Sequence, residues 1–474
     1  MLAIGFFLSP VVVVNVVVAA LVVYAGRRNP GVTWAWLFVI LMLPYVGVVL
    51  YMLLGFDGRR HNAFTKKRVQ DGIYYQEFLL MSGRPLQGSL PDLPPAEDII
   101  RLNAAPGMAE LTLFNKINIF TEGNAKFDAL LEDIAGARHS VFLQYYIMRN
   151  DALTRRIVQA LAERARSGVR VCLLLDGMGC MLTPRSAYLP LIKAGGEVTV
   201  FMPFRLGGLN YRNHRKIALV DGHTGYIGGL NIGQEYLGLA KRFGFWRDAH
   251  IRIQGDAVRQ LTLRFVMDWN FAHKGKPIDL REALPPTGDT PGLAAMQVIC
   301  SGPDTDHPAI HYTYLKMITT ARDQVLIQSP YFIPDDSVLE ALRLAALSGV
   351  DVRIMIPAKP DHPFVYWAAL SYLGELLESG VRCFEYRQGF LHSKVVVVDK
   401  RVASVGTANL DVRSFKLNFE INAVIYNEEL ATELVNQFYS DALGCTEITL
   451  DKYTQRSGVV RIKEAVSRLL SPIL

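Results

Sequence analysis

Two short stretches of this 474-residue chain place the same reactive side chains at the same spacing. The first reads His214-Arg215-Lys216, followed by Asp221, Gly228-Gly229 and Asn231. The second reads His392-Ser393-Lys394, followed by Asp399, Gly406-Thr407 and Asn409. A single His-x-Lys carries no signal; its recurrence with Asp, Gly and Asn at matching offsets does. In an extended chain, residues two apart point the same way, so each stretch presents an imidazole and an ammonium together. The apolar runs Ile217 to Val220 and Val395 to Val398 then continue into a core. Joined about one point, two such faces gather two imidazoles, two ammoniums and two carboxamides. That set suits a phosphodiester. Lys216, Lys394, Asn231 and Asn409 offer donors to the non-bridging oxygens as charge develops on them. One imidazole attacks phosphorus and the other protonates the departing alcohol. Asp221 and Asp399 belong to the repeated signature and are counted with its catalytic set, although acids at strand ends also serve as turn caps.

The elements that must hold these groups are themselves repeated. Ser140 to Ile147, Leu153 to Ser167, Val169 to Leu175, Leu189 to Ala194 and Val198 to Met202 alternate β-rich and helical patterns. The same order returns as Gln324 to Gln328, Ser337 to Ser348, Val350 to Ile356, Tyr366 to Ser379 and Val381 to Tyr386. Landmarks align too: Ala137-Arg138 with Ala321-Arg322, Ser167-Gly168-Val169 with Ser348-Gly349-Val350, and Gly196 near Gly380. The offset stays near ~180 residues, which predicts a duplicated α/β domain forming a pseudo-symmetric pair with its site at the shared interface.

Composition sets the remaining bounds. Half of the residues are apolar, 20% are charged and the net charge is +6, with a mean hydropathy of +0.19. That excludes a disordered or low-complexity chain and falls short of the basic density of a dedicated nucleic-acid binder. The five cysteines are scattered without a CxxC pair, against a disulfide framework or a zinc site. The excess apolarity lies at the N-terminus, in uncharged stretches from Leu2 to Tyr24 and Val32 to Phe56 around Arg27-Arg28. Each is long enough to span a bilayer as a helix, which predicts a transmembrane hairpin over 1–57. A signal peptide or a buried soluble hairpin is the competing explanation. Arg59, Arg60, Lys66, Lys67 and Arg68 follow, and the positive-inside rule puts the rest of the chain in the cytoplasm. Residues 58–107, with Pro85, Pro91, Pro94 and Pro95, read as a juxtamembrane connector. The two α/β domains are expected over 108–290 and 291–474.

The paired HxKxxxxD signatures resemble those of the phospholipase D superfamily. Over essentially the whole chain the sequence is similar to its bacterial cardiolipin synthase branch. The branch features are Trp34-Ala35-Trp36, Phe245-Trp246-Arg247-Asp248, Ser301-Gly302-Pro303, the run Gly406 to Ser414, and Ser471-Pro472. The resemblance implies an α/β/α sandwich fold for each domain and a two-step transfer through a phosphohistidine, without metal or other cofactor. It assigns His214 as nucleophile and His392 as general acid, then base; the nearly equivalent copies do not order the two by themselves. It also implies a carboxylate partner for each imidazole downstream of each motif, at Asp248 and Glu420, whose bland alternative is a strand-end acid. The implied reaction joins two phosphatidylglycerol molecules into cardiolipin and glycerol at a bacterial inner membrane.

Three alternatives stay open at this stage: a phospholipase D hydrolase releasing phosphatidic acid, a membrane-anchored phosphodiesterase or nuclease, and an adaptor with a dead site. The expected partners are phosphatidylglycerol and anionic bilayer lipids, not nucleic acid, and a homo-oligomer is left open. Two further segments bear on the membrane. Pro363 to Trp367 either dips into the interface or forms a buried helix face. Val459, Ile462, Val466, Leu469 and Leu470 recur at helical spacing opposite Arg461, Lys463 and Arg468, a short basic amphipathic helix that lies either on lipid or on the protein.

Overall fold

The computed structural model describes residues 10–25, 30–43, 45–51, 58–82, 96–104, 109–202, 211–284 and 291–471. The chain divides into a small unit, residues 1–66 with 204–210, and a large unit, residues 67–203 with 211–474.

In the small unit, helices Pro10–Ala25 and Pro30–Met42 each begin at a proline, whose fixed φ and missing N–H suit a first helical position. Val22, Ile40 and Tyr51 form a small core, and Asn15 Nδ2 donates to the Ile40 carbonyl at 3.2 Å. The predicted second span is interrupted. Tyr45 has φ 68°, a conformation costly for a residue with a Cβ, and it separates Pro30–Met42 from the short helix Val46–Leu50. Among the described residues no helix is long and apolar enough to cross a membrane. The Arg27-Arg28 turn and the ends of both expected spans lie outside the described residues.

The predicted connector is largely helical, as Gly58–Ser82 and Glu97–Ala104. Phe64, Lys67, Asp71, Tyr75 and Phe78 are buried at the three- and four-residue steps of one helix face. Two of the five are charged, which is why apolar periodicity alone does not reveal this helix. The Pro85 to Pro95 cluster falls outside the described residues.

The large unit is built on one fifteen-stranded sheet, with two small two-stranded sheets beside it. Its first half contributes β1 (Thr112–Phe120), β2 (Ser140–Tyr145), β3 (Arg170–Asp176), β4 (Glu197–Phe201), β5 (Ile217–Val220), β6 (Thr224–Gly228), β7 (Trp246–Arg247) and β8 (His250–Gly255). Its second half contributes β9 (Ala294–Ser301), β10 (Gln324–Gln328), β11 (Phe332–Ile333), β12 (Asp351–Pro357), β13 (Arg382–Tyr386), β14 (Phe390–Leu391), β15 (Val395–Val398), β16 (Val402–Gly406), β17 (Leu410–Asp411), β18 (Glu420–Tyr426) and β19 (Cys445–Ile448). The order is β19-β13-β12-β10-β15-β16-β18-β9-β1-β8-β6-β5-β2-β3-β4. The two small sheets are β11-β17 and β14-β7. Outward from the antiparallel β1–β9 pair, the two wings repeat the same sequence of seven equivalents, with β19 added at the outer edge of the second wing. The duplication in the chain is therefore a pseudo-dyad between β1 and β9.

Strand alternation divides the layers. Val141, Leu143 and Tyr145 of β2 join the core beneath helices Gly123–Gly136 and Ala152–Arg166. Phe142 faces the other way and stacks on Phe265 of helix Ala257–Ala272, with ring centroids 5.0 Å apart. The second half repeats this arrangement. Val325 and Ile327 of β10 pack into the core with helices Ala309–Thr320, Asp336–Leu347 and Pro363–Glu378. Gln328 instead reaches Asp441 of helix Glu428–Ala442 at 2.8 Å. Each wing is thus an α/β/α sandwich. The landmark Ser-Gly-Val triplets are helix ends. Gly168 and Gly349 take φ 86° and 94°, left-handed conformations in which glycine closes a helix without strain.

Candidate active site

His214 and Lys216 lie on the lead-in to β5, and His392 and Lys394 on the lead-in to β15, with the strands proper beginning one residue after each lysine. Lys216 Nζ donates to the His214 carbonyl at 2.7 Å. Lys394 Nζ donates to the His392 carbonyl and lies 2.9 Å from His392 Nδ1. The two lead-ins converge: each imidazole senses the lysine charge of the other motif.

The carboxylates are exchanged between halves. Glu420, on the second half, stands 2.9 and 3.0 Å from His214 Nδ1. Asp248, on the first half, stands 2.7 Å from His392 Nδ1. Backbone stitches enforce the crossing. His214 N–H donates to the Phe419 carbonyl at 2.9 Å and His392 N–H to the Arg247 carbonyl at 2.7 Å, while β14 runs parallel to β7. All four side chains are buried. A carboxylate at Nδ1 fixes the proton there and leaves Nε2 as the free, basic nitrogen.

Burial pulls both imidazoles down to about 4, against the pull of Glu420 on His214 and, for His392, with Lys394 adding to the fall and Asp248 opposing it. Both are neutral at pH 7 without substrate. Burial likewise brings Lys394 to about 8 and Lys216 well below the ordinary lysine value. Burial opposes ionisation of the two acids as well. Electrostatic interaction and hydrogen bonding with His214, together with Lys216, nevertheless hold Glu420 below its usual range, and Lys394 with His392 does the same for Asp248. An arriving phosphodiester anion raises the proton affinity of the imidazoles and ammoniums around it, so the substrate itself completes the charge state the chemistry needs.

The Gly228-Gly229 pair of the signature makes room for this arrangement. A Cβ on Gly229 would sit 1.9 Å from Asp248 Oδ1. Asn231 accepts from Ile147 N–H at 3.1 Å and donates to the Tyr236 hydroxyl at 3.0 Å. Asn409 donates to Asp411 at 3.1 Å, and its Oδ1 is buried without a hydrogen-bond partner. One amide hydrogen on each is thereby committed to the protein and the other is not.

Asp221 and Asp399, counted with the catalytic set on sequence, stand apart from the imidazoles as strand-end clamps. They sit just past the far ends of β5 and β15, five residues or about 16 Å of extended chain from the lysines. Asp221 accepts from the N–H groups of Arg138, His139 and Ser140 at 2.7 to 2.9 Å. Asp399 accepts from those of Arg322, Asp323 and Gln324 at 2.8 to 2.9 Å. Each clamps the start of the neighbouring strand, β2 or β10, from a residue at φ 53° or 52°. The repeated Ala-Arg landmarks mark the clamped segments.

Several site residues escape the motif. Tyr146 meets His214 edge-on at 4.9 Å and Trp246 packs 5.3 Å from His392; both adjoin recognised segments but carry no repeated signature. Arg215, the middle residue of the first motif, is fully buried. It donates to Asp268 at 2.6 Å, to the Ser301 carbonyl at 3.3 Å and to the Glu420 carbonyl at 3.2 Å. Asp268 also meets Lys67 of helix Gly58–Ser82 at 3.1 Å, and Lys67 reaches Asp71 and Asp304 at 2.6 and 2.8 Å. Arg264 joins Asp71 at 3.1 Å. Three cations and three carboxylates balance, and against burial the acids hold Lys67 above its ordinary value. The residues bearing the nucleophilic chemistry are thereby tied to a helix that precedes the first sandwich in the chain. Among the described residues no cluster of three or more His, Cys, Asp or Glu has metal-holding geometry.

Comparison with known proteins agrees with this construction. A family described as "Cardiolipin synthase, PLD-like domain" matches residues 130–268 and 314–442, one segment in each sandwich. A second, "Phospholipase_D-nuclease N-terminal", matches residues 13–55. The chain is 43% identical to a cardiolipin synthase of Oceanobacillus iheyensis over 98% of both chains. It is 44% identical to the major cardiolipin synthase ClsA of Bacillus subtilis and to a cardiolipin synthase of Listeria monocytogenes, over 99% of each chain. The solved phosphatidylserine synthase of Haemophilus influenzae shares the fold, with a TM-score of 0.61 at 14% identity, covering 80% of this chain and 100% of that one. By matched domains in both halves and by end-to-end identity, the chain belongs to the phospholipase D-like cardiolipin synthase family.

Proposed function

We propose that the protein is a cardiolipin synthase that transfers a phosphatidyl group from one phosphatidylglycerol to another. The observation that carries this reading is the crossed arrangement of His214 with Glu420 and His392 with Asp248, two oriented imidazoles each within electrostatic reach of the other motif's lysine. His214 Nε2 attacks phosphorus, a P–N bond forms, and the P–O bond to glycerol breaks as His392 delivers a proton to the leaving oxygen. His392 then takes the proton from the headgroup hydroxyl of a second phosphatidylglycerol. That oxygen attacks the phosphohistidine, the P–N bond breaks and cardiolipin leaves. Lys216, Lys394 and the uncommitted amide hydrogens of Asn231 and Asn409 hold the non-bridging oxygens through both steps. No cofactor enters.

The finer assignments follow the same reading. Residues 1–57 form a hairpin inserted in a bacterial inner membrane, supported by their uncharged stretches and by the family match over 13–55. The basic run from Arg59 to Arg68 supports a cytoplasmic catalytic part by the positive-inside rule. The sandwiches occupy 108–290 and 291–474 behind a juxtamembrane connector over 58–107.

The test is reconstitution in phosphatidylglycerol vesicles, with cardiolipin and phosphatidic acid followed together. Cardiolipin as the main product, lost in both His214→Ala and His392→Ala, is the expected result. Phosphatidic acid as the main product would replace the synthase by a hydrolase.

A further inference from the structure

Helix Gly458–Leu469 packs with its polar side inward. Glu464 and Ser467 are 3% and 1% exposed. Glu464 pairs with Arg456 at 2.8 Å, and Arg468 reaches Glu375 at 2.7 Å on helix Pro363–Glu378. The opposite side carries Val459, Ile462, Val466 and Leu469, between 49% and 82% exposed. At 100° per residue these four fall within one stripe about 80° wide, with Arg461 on one flank and Lys463 on the other. Both cations are exposed, and the helix contains no acid besides the buried Glu464. A helix that only served packing would turn this stripe inward, because each exposed aliphatic side chain forgoes burial worth about 1.5 kcal/mol or more.

We infer that this stripe is an anionic-lipid docking surface, on which the helix lies in the plane of the bilayer interface. Three observations select lipid over a second copy of the chain. Basic residues on both flanks complement anionic headgroups. Four aliphatic side chains on a short helix present roughly a few hundred Å², well below the roughly 800 Å² per partner of a stable protein interface. The third is continuity with the site. Helix Pro363–Glu378, on which this helix packs, begins two residues after Asp361, which accepts the Tyr331 hydroxyl and whose charge reaches Lys394. Its first turn also exposes Phe364. Docking here holds the catalytic face against the lipid that supplies its substrates, an inference that rests on the proposed synthase reaction for its purpose but not for its geometry.

The experiment uses full-length protein carrying Ile462→Cys in a Cys300→Ser, Cys445→Ser background, labelled with an NBD fluorophore and reconstituted into phosphatidylcholine vesicles with and without phosphatidylglycerol. With phosphatidylglycerol, NBD emission is expected to shift to the blue and to be quenched by nitroxide lipids. In parallel, Ile462→Glu combined with Val466→Glu lowers cardiolipin formation from vesicle phosphatidylglycerol about tenfold, with turnover of micelle-dispersed short-chain phosphatidylglycerol unchanged. A water-like, unquenched probe in phosphatidylglycerol vesicles overturns the inference. So does a probe that becomes buried in lipid-free detergent as protein concentration rises and a dimer forms by light scattering, which assigns the stripe to a second copy. Failure of the unsubstituted protein to make cardiolipin even from dispersed substrate would strike the synthase reaction alone, because the fluorescence readout needs no turnover.

Discussion

The two halves of the large unit hold equivalent imidazoles by unequal means. On the first, Arg215 sits between His214 and Lys216 and is locked by Asp268, Ser301 and Glu420 into the buried charge network of Lys67. On the second, the equivalent Ser393 is small, and its buried hydroxyl has no hydrogen-bond partner. His214 faces both oxygens of a glutamate, whereas His392 shares its Nδ1 environment between an aspartate and Lys394. Duplication thus preserved the reacting groups while their supports diverged. One motif is braced against the preceding helix through its own middle residue, whereas the other is held from the first half by Arg247, whose carbonyl accepts from His392 N–H and whose buried side chain pairs with Asp441 at 2.9 Å. The imidazole tied to the preceding helix is the one assigned to form the covalent bond, where position matters most.

The largest expected effect separates the two histidines. With a donor whose leaving group needs no proton, such as a p-nitrophenyl phosphodiester, His392→Ala should still form the phosphoenzyme, while His214→Ala should lose it by about 1000-fold or more. Equal loss in both, read by acid-quenched label incorporation, would erase the assigned difference. Next, Glu420→Gln and Asp248→Asn should each lower kcat about 100-fold or more, because each disturbs the tautomer of the other half's imidazole. Expression of the two sandwiches as separate chains should then yield activity only on mixing.

The supports differ in stability as well. Arg215→Met leaves Asp268 facing a deficit of positive charge and should cost about 3 to 5 kcal/mol in urea unfolding. Ser393→Ala should stay within about 1 kcal/mol, since it removes a hydroxyl that has no partner. Similar costs would mean that the brace has no special role.

Acid should act through both histidines. Their folded values of about 4 lie below the ordinary 6.5, so the unfolded chain binds protons that the folded protein refuses. Stability is therefore unaffected above about pH 6.5 and falls as pH drops from there toward about 4. The depressed acids Glu420 and Asp248 stabilise above their ordinary carboxylate values and lose that contribution only at lower pH. A His214→Gln, His392→Gln double variant should flatten the decline between pH 6.5 and 4, read as urea midpoints. The smallest effect belongs to the strand clamps. Asp221→Ala and Asp399→Ala should each lower stability by about 1 to 2 kcal/mol with kcat little changed, and a large loss of kcat in folded protein would return them to the catalytic set.

How much was legible in the sequence varies by element. The α/β repeat was visible because strand and helix periods are local, and Ser167-Gly168-Val169 and Ser348-Gly349-Val350 signal helix ends through one residue's backbone freedom. The helix Gly58–Ser82 was not, because its inward face includes Lys67 and Asp71, whose charges are neutralised only by Asp268, Asp304 and Arg264 from distant segments. The second apolar stretch looked continuous, but a positive φ at Tyr45 breaks it, and composition does not report a dihedral angle. Asp221 and Asp399 were linked to catalysis by spacing alone. The length of β5 and β15 puts them at the other end of the strand.

What the sequence determined by itself is the reactive inventory of two imidazoles and two ammoniums at a duplicated spacing, while the acids Asp248 and Glu420, 34 and 28 residues after the two histidines, came only with the family resemblance. What only the tertiary structure decided is who serves whom. Asp248 lies 34 residues after the histidine of its own half yet bonds His392, and Glu420 bonds His214. The pseudo-dyad between β1 and β9 lays each lead-in beside the other half's acid-bearing segment, and hydrogen bonds between such segments depend on distance in space, which linear spacing does not encode.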